Sequence, residues 1–157
     1  MAGCMREHAR VTTRRPMDAY QRALSLLSKR ERTRAGLEAA LLAKGHPEGE
    51  VQEALERVAR LGYLDDAKVA QAQARRELAR GRSRAEVARR LAAHGVEEGL
   101  SAQATAAMAD ELAHDDEAAA RALVKRRRLT GLKAARLLAS RGFDEELIRR
   151  VTGLDGD

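Results

Sequence analysis

Apolar residues recur along this chain at helical spacing, not at the alternation of a strand. Three windows align on a glycine: Thr33–Gly45, Ser83–Gly95 and Thr130–Gly142, with the hydroxyl residue twelve positions before the Gly each time. Four positions before the Gly stands Leu41, Leu91 or Leu138, and eight before it Leu37, Val87 or Ala134. A Ser or Thr hydroxyl accepts from the free amides at a helix start, and a Gly ends a helix in the left-handed conformation. Apolar residues four apart share one helix face. Each window is predicted to be a complete short helix with one buried stripe.

The flanks repeat too. Asp18–Lys29, Asp66–Arg80 and Asp115–Arg127 each open with an Asp, which suits the positive end of a helix. Asp18 and Asp115 precede their Thr by fifteen positions, and Ala23 with Ala120 and Leu26 with Leu123 then fall in register. A third helix is predicted after each Gly. Pro47 suits a first helical position, and Val51, Leu55 and Val58 mark the inner face. Val96, Leu100 and Met108 do so in the second unit, and Phe143, Leu147 and Val151 in the third. Gly62 and Gly153 end the first and third of these helices. The predicted fold is all-α: three tandem three-helix repeats in an elongated, curved right-packed array. The expected boundaries are a basic tail at 1–15 and repeats at 16–64, 65–112 and 113–157.

Composition narrows the picture. Aromatics make up 2% of the 157 residues, as Tyr20, Tyr63 and Phe143. That is too few for an aromatic-rich β-sandwich, while Ala, Leu, Arg and Glu favour helix. Cys4 is the one cysteine, so there is no disulfide framework and a reducing, cytoplasmic setting is expected. No apolar run approaches the roughly 18 residues of a membrane span, and Met1–Met17 has no apolar signal segment.

Particular residues resemble the RecX family. Leu27–Thr33 followed by Leu37, Leu41 and Lys44-Gly45 is similar to its first repeat, and Gly62-Tyr63-Leu64-Asp65-Asp66 to its most distinctive segment. Gly81, Ser83, Val87, Leu91 and Gly95-Val96 resemble the second repeat, and Arg141-Gly142-Phe143 with Ile148 and Val151 the third. The chain departs from the family's habit at Gly36, Val69, Gln73 and Ala134, which thins the core. The resemblance implies a monomeric regulator that binds the filament of the RecA recombinase. It would inhibit recombinase, ATPase and co-protease activity and thereby regulate DNA repair, with weak nonspecific DNA binding.

Little in the sequence suggests catalysis, and no cofactor or metal site is expected. His8, His46, His94 and His114 are scattered, and none pairs with a cysteine. His46 and His94 flank helix-ending glycines and are read as C-terminal caps. Asp65 and Asp66 are read as a helix start, not an acid/base pair.

The charge pattern is more telling, at a net charge of +6. Residues 91–120 carry seven acidic side chains and no Lys or Arg, whereas 118–143 carry eight basic ones and no Asp or Glu. Lys125, Arg126, Arg127, Arg128 and Lys133 are therefore candidates for contact with phosphate or an acidic protein surface. A second basic block holds Arg75, Arg76, Arg82, Arg84, Arg89 and Arg90. Without stacking aromatics a dedicated single-strand binder is disfavoured. A nonspecific nucleic-acid-binding helical repeat protein remains the alternative to a filament regulator.

Overall fold

The computed structural model describes residues 16–154. Expectations for the tail at 1–15 lie outside the described residues. Those residues form nine helices and no strand: α1 (Ala19–Leu27), α2 (Arg34–Ala43), α3 (Glu48–Arg60), α4 (Asp66–Ala79), α5 (Arg84–Ala93), α6 (Glu98–Glu111), α7 (Asp116–Arg127), α8 (Gly131–Ser140) and α9 (Glu145–Thr152). They fall into three sets of three, each around its own apolar cluster.

In the first set Ala23, Leu37, Leu41, Val51, Leu55 and Val58 are fully buried. The second gathers Ala70, Ala74, Leu78, Val87, Leu91, Val96 and Met108, and the third Ala120, Leu123, Leu138, Phe143 and Leu147. The Leu four before each aligned Gly lies in the core every time. Small Ala side chains fill the second core where larger ones would be expected. Each helix is short and depends on its neighbours, since an isolated helix of this length is marginal in water.

The helix ends follow the sequence with instructive differences. Asp18, Thr33, Asp65, Ser83, Asp115 and Asp144 cap their helices through side-chain oxygens. The second N-terminal stretch starts at Asp66 as expected, with Asp65 as its cap. Pro47 is the cap of α3, not its first residue. Thr130 makes no side-chain cap bond. Its neighbour Gly131 sits at φ +54°, which distorts the entry to α8. The third helix of the second set stops without glycine, at Ala113 (φ +49°).

The sets are joined in series by one joint used twice. At the first joint, the Thr33 hydroxyl accepts from the Gly36 amide at 3.1 Å and donates to the His94 carbonyl at 3.3 Å. At the second, the Ser83 hydroxyl accepts from the Glu86 amide at 3.2 Å and donates to the Gly142 carbonyl at 2.6 Å. Next to the hydroxyl, Asp66 accepts from the Arg34 amide at 2.8 Å, and Asp116 from the Arg84 amide at 3.1 Å. The first helix of one set thus caps the middle helix of the set before it. Gly95 and Gly142 lie in the turns that dock there, at φ +85° and +80°. A Cβ on Gly95 would overlap the Ala35 side chain, and one on Gly142 would overlap Glu86.

Candidate functional site

The basic run at the end of α7 takes its form from how that helix stops. Lys125, Arg126 and Arg127 occupy the last turn, where cations meet the negative end of the helix dipole. Arg128 then adopts the left-handed conformation, at φ +52°. Its amide donates to the Lys125 carbonyl at 3.1 Å, and the Leu129 amide to the Val124 carbonyl at 3.2 Å. Glycine fills that role at most of the other helix ends. All four cationic side chains are exposed, and so is Lys133 on α8. Among the described residues none of the five forms an ion pair with a carboxylate.

The fold brings part of the second basic block beside this run. The Arg141 guanidinium donates to the Arg80 carbonyl, at the end of α4, at 3.1 Å. Burial, then the charges of Arg82, Arg127 and Arg126, push its pKa below the ordinary guanidinium value, against the pull of Glu77. Arginine stays charged regardless. Cations far apart in sequence therefore lie close around Arg141, which the sequence alone did not single out as a site residue.

The rest of the Arg75–Arg90 block is mostly neutralised. Arg75 pairs with Glu111 on α6. Arg80 and Arg82 both reach Glu77, at 2.6 Å each. Arg84 lies 3.8 Å from Asp116. Arg89 and Arg90 pair with Glu86 at 2.6 and 2.8 Å. Burial alone would raise the pKa of Glu77 and Glu86, but hydrogen bonds from these arginines more than offset it, and both carboxyls sit below their ordinary value. Arg76 is exposed and has no carboxylate partner among the described residues.

The Gly62–Asp66 segment is structural at nearly every position. Gly62 ends α3, and Leu64 packs on the first core. Asp65 accepts from the Lys68 amide at 3.0 Å, and Asp66 serves the joint. Tyr63 points outward, 57% exposed. Gly95 and Gly142 belong to the joints, and Phe143 is buried in the third core. The His94 ring lies 2.7 Å from the Arg90 carbonyl, as a C-terminal cap should. The His114 ring instead meets Asp116 at 3.1 Å. Among the described residues no three His, Cys, Asp or Glu side chains group as metal ligands, and no helix is long and apolar enough to cross a membrane.

The family description "RecX, first three-helix domain" matches residues 19–57. The regulatory protein RecX of Stenotrophomonas maltophilia (strain R551-3) is 38% identical over 154 residues, covering 92% of each chain. That of Halorhodospira halophila (strain DSM 244 / SL1) is 34% identical, covering 81% of each. The crystal structure of RecX from Lactobacillus salivarius superposes with a TM-score of 0.67 at 20% identity, over 85% of this chain and 91% of that one, a likeness of fold. A three-helix architecture repeated in series, family residues at its helix stops and joints, and relatives matched along nearly their whole length lead to one conclusion: the chain belongs to the RecX family of regulatory proteins.

Proposed function

We propose that this chain binds the RecA recombinase filament and restrains it, lowering ATP turnover, strand exchange and co-protease activity, and so regulates DNA repair. It acts as a cytoplasmic monomer and carries out no reaction of its own. The family membership supports a regulatory role. The observation that carries the mode of binding is the exposed run Lys125–Arg128 with Lys133, which has no carboxylate partner among the described residues and stands near Arg82 and Arg141. A filament of protein on DNA offers such a surface both backbone phosphate and acidic side chains. Arginine binds either in bidentate fashion. Arg128 also keeps a strained backbone where glycine would fold more easily, a pattern that accompanies functional positions.

The test is binding to preformed RecA filaments and to bare single strands across a salt series. Replacing Arg126, Arg127 and Arg128 with Ala should leave folding intact, because exposed arginines contribute little to stability. It should weaken filament binding, flatten its salt dependence and relieve inhibition of ATP turnover in proportion. Coincident curves for the two proteins would refute this surface. Inhibition seen only at concentrations that coat the DNA would favour plain nucleic-acid binding over filament regulation.

A further inference from the structure

The joint that links the sets leaves one half unmatched in the first set and the other half unmatched in the third. In the first set the turn at Gly45 has the backbone of the docked turns, at φ +84° against +85° at Gly95 and +80° at Gly142. Gly95 and Gly142 press on the set before them, whereas nothing lies within 4 Å of a Cβ placed on Gly45. In the third set Thr130 and Gly131 stand where Thr33 with Arg34, and Ser83 with Arg84, receive a following set. Thr130 makes no side-chain cap bond, and among the described residues no further set docks on it.

Both unmatched halves carry an exposed leucine where the filled joints carry alanine. Leu42 lies three residues before Gly45, and Ala92 and Ala139 hold that place before Gly95 and Gly142. Leu132 lies two residues after Thr130, and Ala35 and Ala85 hold that place after Thr33 and Ser83. Ala35 is the side chain that meets Gly95 across the first joint, so position 132 lies where an arriving turn would land. Leu42 is 43% exposed and Leu132 66%, and apolar surface of this kind gains by leaving water. The charges around the two leucines are opposite. Glu48 and Glu50 are exposed at the start of α3, just after the Gly45 turn, while Arg128 and Lys133 are exposed on either side of the α8 start. Opposite charge brings such surfaces together in one orientation.

We propose that the protein associates end to end with a second copy of itself, the Gly45 turn of one copy seated on the start of α8 in the next. Leu42 of the first then packs on Leu132 of the second. The Thr130 hydroxyl donates to the carbonyl of Lys44 or Gly45, as Thr33 donates to His94 and Ser83 to Gly142. Ala19 occupies the place of Asp66 and Asp116, so this contact lacks the carboxylate bond of the internal joints and is the weaker one. The dilute chain is therefore a monomer, and the contact forms where copies are concentrated. It joins two different surfaces, so a pair keeps one free half at each end and can grow.

The test is sedimentation velocity of the full chain without RecA, from about 10 µM to about 1 mM, a span suited to weak affinities. The protein should shift from monomer to dimer and longer forms as concentration rises. Leu42→Ser and Leu132→Ser should each weaken association about tenfold. Leu112→Ser, at a leucine 40% exposed in the middle set, should leave it unchanged. A mixture of Leu42→Ser and Leu132→Ser retains one intact half from each, so it should form a dimer that grows no further, at a concentration where neither variant associates alone. Circular dichroism melts confirm that each variant is folded. A chain that stays monomeric throughout, an equal loss for Leu112→Ser, or no dimer in the mixture would overturn the end-to-end contact. Because RecA is absent, these outcomes are independent of whether filament binding holds.

Discussion

Substituting Gly95 with Ala probes the joint between the first two sets of helices, and Gly45→Ala supplies its control. Both glycines have left-handed backbones, at φ +85° and +84°. A side chain in that conformation costs roughly 1–2 kcal/mol wherever it occurs. At Gly45 that is the whole effect, since nothing lies within 4 Å of the added carbon. At Gly95 the methyl overlaps Ala35, and carbon atoms need about 3.5–4.0 Å. The turn must back away from the start of α2. Doing so stretches the 3.3 Å bond from Thr33 to the His94 carbonyl and the 2.8 Å bond from the Arg34 amide to Asp66. Losing both adds about 1–3 kcal/mol. Gly95→Ala should therefore cost about 2–5 kcal/mol, the sum of strain and lost bonds, against roughly 1–2 for Gly45→Ala. Urea unfolding followed by circular dichroism measures both. Adding Ala35→Gly to Gly95→Ala should recover much of the difference. Equal shifts for Gly45→Ala and Gly95→Ala would refute the joint.

Leu91 is 2% exposed at the centre of the second core, and Leu91→Ala should cost about 2–5 kcal/mol by chemical denaturation. An unchanged midpoint would remove it from that core. Arg128→Gly relieves a left-handed residue at φ +52° and should stabilise the fold by about 0.5 kcal/mol after the entropy of the unfolded glycine is counted; a lower melting temperature would contradict this. The buried Glu86 carboxyl is held below its ordinary 4.5 when folded. Its contribution is therefore complete above 4.5 and fades as pH falls through the lower folded value. The Glu86→Gln variant should lose stability at neutral pH and show a shallower decline below pH 4.5, read from melting temperature against pH.

Much of the helical order was readable because its signals are local. A hydroxyl, an apolar pair and a glycine within thirteen residues describe one helix, and Thr33–Gly45 and Ser83–Gly95 behave as that pattern says. Thr130–Gly142 satisfies the same pattern yet makes no cap bond, and Gly131 enters α8 at φ +54°, a backbone conformation the pattern does not encode. The joint was not legible, since it binds residues 32 or more positions apart. One trace of it stood in the sequence. The pairs Asp65-Asp66 and Asp115-Asp116 both begin twenty positions after an aligned glycine, Gly45 and Gly95. Two carboxylates in a row exceed what one helix start requires, and the second of each serves the preceding set. The two basic blocks already differed in the sequence, because Glu77 and Glu86 interrupt the second while no Asp or Glu lies within 118–143. The fold adds the pairings that cross helices, such as Arg75 with Glu111 on α6.

The twice-used joint also makes the three sets unequal as building blocks. The middle set holds both complementary halves: Asp66 and the Gly95 turn face backward, while Ser83 and the Arg84 amide face forward. The first helix of the described residues, α1, carries Ala19 where α4 and α7 begin with Asp66 and Asp116, so that position has no carboxylate to offer a preceding set. A tandem duplicate of residues 65–112 can satisfy its neighbours on either side, and a duplicate of the opening set cannot. Lengthening this protein by whole modules is thus a matter of copying its centre, with each added copy bringing one more joint and one more core.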